Sequence, residues 1–271
     1  MYKRQAQELA ALAGEVGRIC RRTLEVPQVL SCKGMTTLLF SEKPVLRAVF
    51  GMAGAAARGS ISGDAVQQFC SPAAAQMILC DGMGTGSGAQ SDAQEAISVL
   101  QSLLTLGFDA MDAAAMLNEL YVLRGDGCFS TVDLLEMDLC TGEGALYKWG
   151  AAPSYLKKGG TVKKIGTASP PPGLGVGEEH RAERVGLSLQ RGEQLVLTTD
   201  GIPEAACEQY LRACGPLSPR ELAAGVVACA SESEPDDRTA VIVQLDPASM
   251  QPHHTTRRAR SMSKTGAEPH I

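Results

Sequence analysis

The order of the predicted secondary-structure elements constrains the fold of this chain more than any other feature. Short strand-like runs separated by Gly, Ser and Pro fill residues 35–79, paired helices follow, and strands return over residues 130–199 before one more helix and a last strand. The turn residues between the strands are typical of antiparallel hairpins, and strict strand–helix–strand alternation is rare. This pattern predicts an α+β fold in which two antiparallel sheets are covered by helices.

The chain divides into three segments by composition and periodicity. Near the N-terminus, apolar residues recur at spacings of three and four, at Leu9, Leu12, Val16 and Ile19. This spacing predicts an amphipathic helix, so residues 1–34 are interpreted as an N-terminal helix and regulatory linker. Two heptads leave open whether the helix packs on its own domain or dimerises. Residues 35–246 form the globular domain, and residues 247–271 are predicted to be a disordered tail because apolar periodicity ends there.

Capping signals predict where individual helices begin. Ser91 and Gln94 are spaced as a capping box, which predicts a helix over residues 91–106. Asp109 is a typical N-cap for a second helix over residues 109–123.

Composition excludes several classes of function. The formal net charge is −5, so whole-chain electrostatics does not favour nucleic-acid binding. No apolar run approaches the roughly 18 to 20 residues that span a bilayer, and the N-terminus lacks the apolar stretch of a secretory signal. The 9 cysteines include no Cys-x-x-Cys pair, which indicates reduced thiols rather than disulfides or a zinc site. We therefore expect a cytoplasmic protein without a membrane segment.

Aspartates stand at the ends of four predicted strands, at Asp64, Asp81, Asp200 and Asp236. The turn midway between the first two falls at Ser71 and Pro72, so an antiparallel hairpin would place both carboxylates opposite each other at its open end. Asp200 ends one strand and Asp236 precedes another, and antiparallel pairing of these strands would bring both to one rim.

Four carboxylates at one place repel each other unless cations hold them, so the pattern indicates a divalent metal site. Oxygen ligands without His or Cys favour Mg²⁺ or Mn²⁺ over zinc or copper. Two such ions can activate a water for attack on phosphorus, which indicates a phosphatase. A glycine carbonyl can also be a ligand, and a glycine-rich stretch begins at Gly82. A single Asp-Gly is more often a simple turn, and Gly84-x-Gly86-x-x-Ala89 could belong to a dinucleotide site, although Asp81 would repel a pyrophosphate there.

Six motifs in order resemble a known family. They are Ser62-Gly-Asp64, Ile78-Leu-Cys-Asp-Gly-Met-Gly-Thr-Gly86, Phe129-Ser-Thr-Val-Asp-Leu134, Gly150-Ala-Ala-Pro-Ser-Tyr155, Thr198-Thr-Asp-Gly-Ile202 and Asp236-Asp-Arg-Thr-Ala-Val-Ile-Val243. Together they resemble the type 2C (PPM) metal-dependent protein serine/threonine phosphatases, and among these the catalytic domain of the stage II sporulation protein E family. The resemblance covers about residues 45–246 and implies a PP2C-like αββα sandwich that holds two Mn²⁺ or Mg²⁺ ions.

The resemblance implies a set of site residues. Those expected to bind metal are Asp64, Asp81, the Gly82 carbonyl, Asp200 and Asp236, with Asp237 as the alternative if the last motif shifts by one residue. The four aspartates other than Asp237 are also the expected catalytic residues. Many eukaryotic relatives carry a histidine, a candidate proton donor, where this chain has Met83. Their phosphate-binding arginine has no clear counterpart here.

The resemblance also implies a substrate and partners. The expected substrate is a phosphoserine or phosphothreonine on a protein, in the sporulation branch an anti-anti-sigma factor with a STAS domain. Dephosphorylation of that substrate controls a sigma factor in sporulation or stress. The paired helices after residue 90 are expected to act as a switch, and together with the N-terminal helix they could form a homodimer. Members of this branch carry a membrane-spanning part upstream, so a full-length parent could be membrane-anchored. The alternative is a catalytically silent sensor or binding domain on the same fold.

Overall fold

The computed structural model describes residues 2–248 apart from 33, 72, 126, 128, 167–168, 176, 178–180 and 231–235. The helices in this part of the chain are α1 (Tyr2–Cys20), α2 (Ser87–Thr105), α3 (Ala110–Arg124), α4 (Glu204–Ala213) and α5 (Pro219–Ala228). The strands are β1 (Gln28–Cys32), β2 (Met35–Leu39), β3 (Leu46–Ala55), β4 (Asp64–Cys70), β5 (Ala74–Gly82), β6 (Ser130–Asp138), β7 (Glu143–Trp149), β8 (Ser154–Lys158), β9 (Thr161–Ile165), β10 (Glu183–Ser188), β11 (Glu193–Thr198) and β12 (Arg238–Pro247). The tail predicted to be disordered lies outside the described residues beyond Ala248.

Ten of the strands form two five-stranded sheets. The first sheet has the order β10-β7-β6-β5-β4, and the second sheet has the order β3-β12-β11-β8-β9. All neighbouring strands in both sheets are antiparallel, which confirms the α+β prediction. Strands β1 and β2 form a separate hairpin.

The two sheets pack face to face between two helical layers. Each sheet is buried on both faces, as β5 illustrates. Met77 and Leu79 point into the core between the sheets, whereas Ile78 and Cys80 lie in the core beneath α2 and α3. Helices α4 and α5 bury the outer face of the second sheet in a third apolar cluster. The architecture is therefore the predicted αββα sandwich.

The helix boundaries confirm some capping predictions and correct one. The capping box predicted at Ser91 is wrong, because α2 begins at Ser87 after Gly86, and Ser91 lies inside the helix. Gly86 has a φ of 82°, which favours glycine, and no side chain caps this helix. Asp109 does cap α3, because its carboxylate accepts a hydrogen bond from the Asp112 N–H at 2.9 Å.

The N-terminal region contains more than the predicted helix. The β1–β2 hairpin spans the boundary placed after residue 34, so that boundary, which stays a prediction, falls within a hairpin. On α1, Leu9, Leu12 and Val16 are half-buried, whereas Ile19 is 78% exposed. Among the described helices, none combines the length and apolar character that a bilayer crossing needs.

Candidate metal centre

The β4–β5 hairpin places two of the predicted ligands directly opposite each other. Asp64, the first residue of β4, pairs with Asp81 near the end of β5. At the other end of the hairpin, the Ser71 N–H donates to the Ala74 carbonyl at 2.9 Å. The predicted facing pair is thus confirmed, because the two carboxylates form the last of the seven residue pairs that follow the turn.

The second pair of aspartates reaches the same rim from the second sheet. Strands β11 and β12 are antiparallel neighbours, with Thr198 opposite Ala240. Beyond these residues, the Thr199 N–H donates to the Thr239 carbonyl at 3.0 Å. Asp200 therefore leaves β11 where Asp236 approaches β12, as the strand pairing predicted.

A cavity of about 220 Å³ lies where the two sheets meet at this rim. It is lined by Asp81, Gly82, Met83, Gly84, Phe129, Thr131, Asp200 and Asp236. Asp64 is absent from this lining and is only 8% exposed, so it lies deeper than the other three aspartates. The cavity therefore draws carboxylates from both sheets.

The two more buried carboxylates, Asp64 and Asp81, have raised pKa values. Burial raises the pKa of Asp81 to about 9, and the negative charges of Asp64, Asp200 and Asp236 add to the shift. Burial also raises the pKa of Asp64 to about 6, although hydrogen bonds from Thr239 and Thr199 oppose this rise. Four carboxylates thus lie within electrostatic reach of one another.

The hydrogen bonds of Asp64 leave one of its oxygens without a partner. Its Oδ2 accepts a bond from the Thr199 hydroxyl at 3.0 Å, and that hydroxyl oxygen accepts a bond from the Thr239 N–H at 2.8 Å. Its Oδ1 is buried and has no hydrogen-bond partner in the part of the chain that the structure describes. A buried, unpaired carboxylate oxygen is costly unless a cation binds it, so this atom fits a metal ligand.

Asp237, the alternative to Asp236, has both carboxylate oxygens engaged by the backbone. Its Oδ1 accepts a bond from the Ala57 N–H at 2.7 Å, and its Oδ2 accepts one from the Gly63 N–H at 2.6 Å. Asp237 is 3% exposed, whereas Asp236 is exposed and lines the cavity. Asp236 is therefore better placed as the ligand, and Asp237 holds the segment that leads into Asp64. The sequence alone could not separate these adjacent residues.

Glycines allow helix α2 to approach the site closely. A Cβ atom on Gly82 would collide with the backbone of Ala89, and one on Gly63 would lie 2.7 Å from the Ala89 Cβ. The first turns of α2 therefore rest directly on the loops that carry Asp64 and Asp81. Sequence reasoning assigned Gly82 a ligand role and room for close approach of a metal or phosphate, and it missed the packing of Gly82 against α2.

The donor set suits ions that keep part of their water shell. In the part of the chain that the structure describes, no three or more Asp, Glu, His or Cys side chains are grouped closely enough to hold a metal ion by themselves. Mg²⁺ is generally held by one or two carboxylates and several waters rather than by an all-protein cage. The carboxylates of this cavity fit that mode of binding.

Comparison with known proteins now identifies the family. The model of the stage II sporulation protein E (SpoIIE) family matches residues 71–246, well over half of the chain. The chain belongs to the SpoIIE family. Stage II sporulation protein E of Bacillus subtilis is 30% identical over 182 residues, which is 62% of this chain but only 22% of that protein. The chain thus spans about a fifth of that relative.

Solved structures agree with the family. The PP2C phosphatase domain of Bacillus subtilis SpoIIE with a fragment of its regulatory domain superposes with a TM-score of 0.73 at 25% identity, covering 87% of this chain and 75% of that one. The catalytic domain of the phosphatase PstP, solved with two manganese ions, shares the fold at a TM-score of 0.55 and 14% identity, covering 74% of this chain and 99% of that one. The chain is a PP2C-type phosphatase domain of the SpoIIE family.

Proposed function

We propose that this chain hydrolyses phosphoserine or phosphothreonine on a protein, using two Mn²⁺ or Mg²⁺ ions. The observation that carries the proposal is the convergence of Asp81, Asp200 and Asp236 from two sheets at one cavity, while Asp64, which pairs with Asp81, keeps a buried oxygen that has no hydrogen-bond partner among the described residues. Such a cluster is electrostatically unfavourable without cations, so a domain without metal chemistry has no physical reason to keep it. This argument disfavours the catalytically silent alternative.

Each residue of the site has a distinct task in this proposal. Asp64, Asp81, Asp200 and Asp236 hold the cations, with the Gly82 carbonyl as a further ligand at the cavity wall. When bound, the cations supply neutralisation of the phosphoryl oxygens and a lowered pKa for the attacking water. Thr199 orients Asp64 through its 3.0 Å hydrogen bond.

The cavity contains no protein cation of its own among its described lining residues. A phosphate group entering it meets carboxylates, so binding depends on the metal ions to reverse the local charge. Met83 cannot donate a proton, which leaves water or the substrate itself to protonate the departing alkoxide. We therefore expect metal dependence to be complete rather than partial.

The substrate we propose is a phosphorylated anti-anti-sigma factor with a STAS domain, in cytoplasmic control of a sporulation or stress sigma factor. Support comes from membership of the SpoIIE family, whose name records a role in sporulation. Incubation with candidate phosphorylated STAS-domain proteins, followed by phosphoprotein gel analysis, tests this choice. Release of phosphate from unrelated phosphoproteins at the same rate would contradict it.

The enzymatic proposal is tested by hydrolysis of p-nitrophenyl phosphate with and without Mn²⁺. We expect turnover only with metal, and loss of turnover in Asp81→Asn, which removes one charge from the cavity at constant shape. Asp138→Asn, on the same sheet but outside the cavity, is the matched control and should retain activity. If Mn²⁺ produces no turnover in the native chain, the silent sensor domain becomes the better description.

Regulation through a homodimer is a separate proposal. Helix α1 leaves Ile19 78% exposed at the end of its apolar seam, and α2 rests on the metal-binding loops. We propose that dimerisation through α1 biases the arrangement of α2 and α3 and so the completeness of the site. Deletion of residues 1–26 should change both oligomeric state and activity, and Ile19→Lys should do so in the same direction. Unchanged values for both would contradict the proposal.

A further inference from the structure

A buried ammonium group joins the two sheets behind the metal centre. The Lys148 Nζ atom donates to Asp133 Oδ1 at 2.6 Å, to the Ala152 carbonyl at 2.7 Å and to Ser154 Oγ at 2.9 Å. The Lys148 and Asp133 side chains are each 1% exposed. Three directed bonds therefore hold this ammonium in one place.

The partners of Lys148 belong to different sheets. Asp133 faces Lys148 across β6 and β7 of the first sheet, whereas Ser154 is the first residue of β8 in the second sheet. Contacts within the apolar core between the sheets are non-directional, so they do not specify one sliding position of one sheet over the other. The bonds of Lys148 do specify such a position, as does the bond from the Thr199 hydroxyl to Asp64 at the cavity rim.

The two residues that Lys148 joins, Asp133 and Ser154, each lie close to a strand whose end carries or precedes a proposed metal ligand. On the first sheet, Asp133 lies two residues from Thr131, which pairs with Asp81 and lines the cavity. On the second sheet, the Thr198 hydroxyl at the end of β11 donates to the carbonyl of Pro153, next to Ser154, at 3.3 Å. Asp200 follows Thr198 by two residues. Lys148 therefore links β6, which pairs with the strand carrying Asp81, to β8, which pairs with the strand that ends two residues before Asp200.

We propose that Lys148 is a positioning residue that sets the offset between the two halves of the metal centre. The inference rests on the proposed function, because it assumes that ions bind between carboxylates of the two sheets. A salt bridge with this degree of burial is poor evidence of a stabilising role, since apolar residues of similar volume often stabilise as well or better. Asp133 Oδ2 is buried and accepts no hydrogen bond from any described residue, so the pair is not optimised for stability. A positional role accounts for its presence.

The decisive variant replaces the ion pair with apolar residues of similar volume, Lys148→Met together with Asp133→Leu. We expect the double variant to unfold, without metal, at a temperature equal to or above that of the native chain. Its affinity for Mn²⁺ in calorimetry should fall about 10- to 100-fold, as for other residues that orient metal ligands. The electron paramagnetic resonance signal of a coupled Mn²⁺ pair should also weaken or disappear.

A second buried lysine provides the matched control. Lys157 is 2% exposed and its ammonium donates to the carbonyls of Leu211 and Cys214, away from the cavity. Lys157→Met should lower the unfolding temperature but leave Mn²⁺ affinity within about twofold of native. If the double variant does not fold, Ser154→Ala removes only the link to the second sheet and should still lower Mn²⁺ affinity about tenfold.

The outcomes separate the two proposals. Native Mn²⁺ affinity in a folded double variant, or in Ser154→Ala, would overturn the positional role while leaving the phosphatase proposal intact. Absence of Mn²⁺ binding by the native chain would overturn both. Reduced affinity in Lys157→Met equal to that of the double variant would assign the effect to general destabilisation, which also overturns the positional role.

Discussion

The adjacent residues Asp236 and Asp237 are expected to show different losses when each is changed to asparagine, one in metal binding and the other in stability. Asp236 is exposed in the cavity, and its Oδ1 accepts the neighbouring Asp237 N–H at 2.8 Å, a bond that asparagine can keep. Asp237 accepts two backbone N–H groups at 2.7 and 2.6 Å while nearly fully buried. Asp236→Asn should therefore affect metal binding, and Asp237→Asn should affect stability.

The magnitudes follow from these contacts. Hydrogen bonds to charged groups contribute about 1.5 to 3 kcal/mol each. Asparagine has one acceptor oxygen, so Asp237→Asn loses one of its two bonds and turns an N–H₂ group toward a backbone donor, at a cost of about 2 to 3 kcal/mol. For a chain of this size that corresponds to a fall of about 5 to 10 °C in unfolding temperature. Asp236→Asn should stay within about 0.5 kcal/mol of native stability.

Two measurements check this prediction, thermal unfolding of both variants in EDTA and Mn²⁺ titration calorimetry of the folded proteins at low temperature. Asp236→Asn should unfold like the native chain and bind Mn²⁺ weakly or not at all. Asp237→Ala, which leaves both N–H groups unpaired, should lose about 3 to 6 kcal/mol. The reasoning is refuted if Asp237→Asn keeps native stability but loses Mn²⁺ binding, since Asp237 would then be the ligand.

Two further predictions concern the metal and its contact with α2. Saturating Mn²⁺ should stabilise the native chain by about 2.7 kcal/mol at a hundredfold excess over its Kd. This is measurable as a rise in unfolding temperature that Asp81→Asn abolishes, and equal rises in both proteins would contradict the assigned site. Gly82→Ala should destabilise by about 1 to 3 kcal/mol because its Cβ meets the Ala89 backbone. Gly88→Ala, where nothing lies within 4 Å, is the control in urea denaturation, and similar losses for both would contradict the close approach.

The strand patterning and the position of Asp64 and Asp81 were predictable because they follow from local rules. Successive side chains of a strand point to opposite faces of the sheet. The position of the turn at Ser71 therefore sets which residues of β4 and β5 pair. For Asp200 and Asp236 the sequence supported only a condition, that antiparallel pairing of their strands would bring both to one rim, and β11 and β12 do pair in this way. These features need only chain order and the period of two.

Other features depend on tertiary contacts that chain order does not contain. The spacing of Ser91 and Gln94 matches a capping box, yet α2 starts four residues earlier, where Gly86 adopts a φ of 82° and Ala89 packs on Gly82. Helix α4 and strand β1 were not predicted. Lys148 in β7 carries a charge that suggests an outward position, and only its partners on two strands of different sheets explain its burial.

The carboxylates that line the cavity lie at one edge of the sandwich, whereas the β8–β9 hairpin turn at 159–160 and the connection between the two sheets at 190–192 lie at the other. The cavity and these turns are thus separated by the full length of the strands. A fluorophore or tethering peptide introduced at Gly160, where an added Cβ would lie 4.0 Å from the Arg212 carbonyl oxygen, could report on folding or anchor the protein to a support. A group attached there would leave the edge that carries the cavity free for large phosphoprotein substrates.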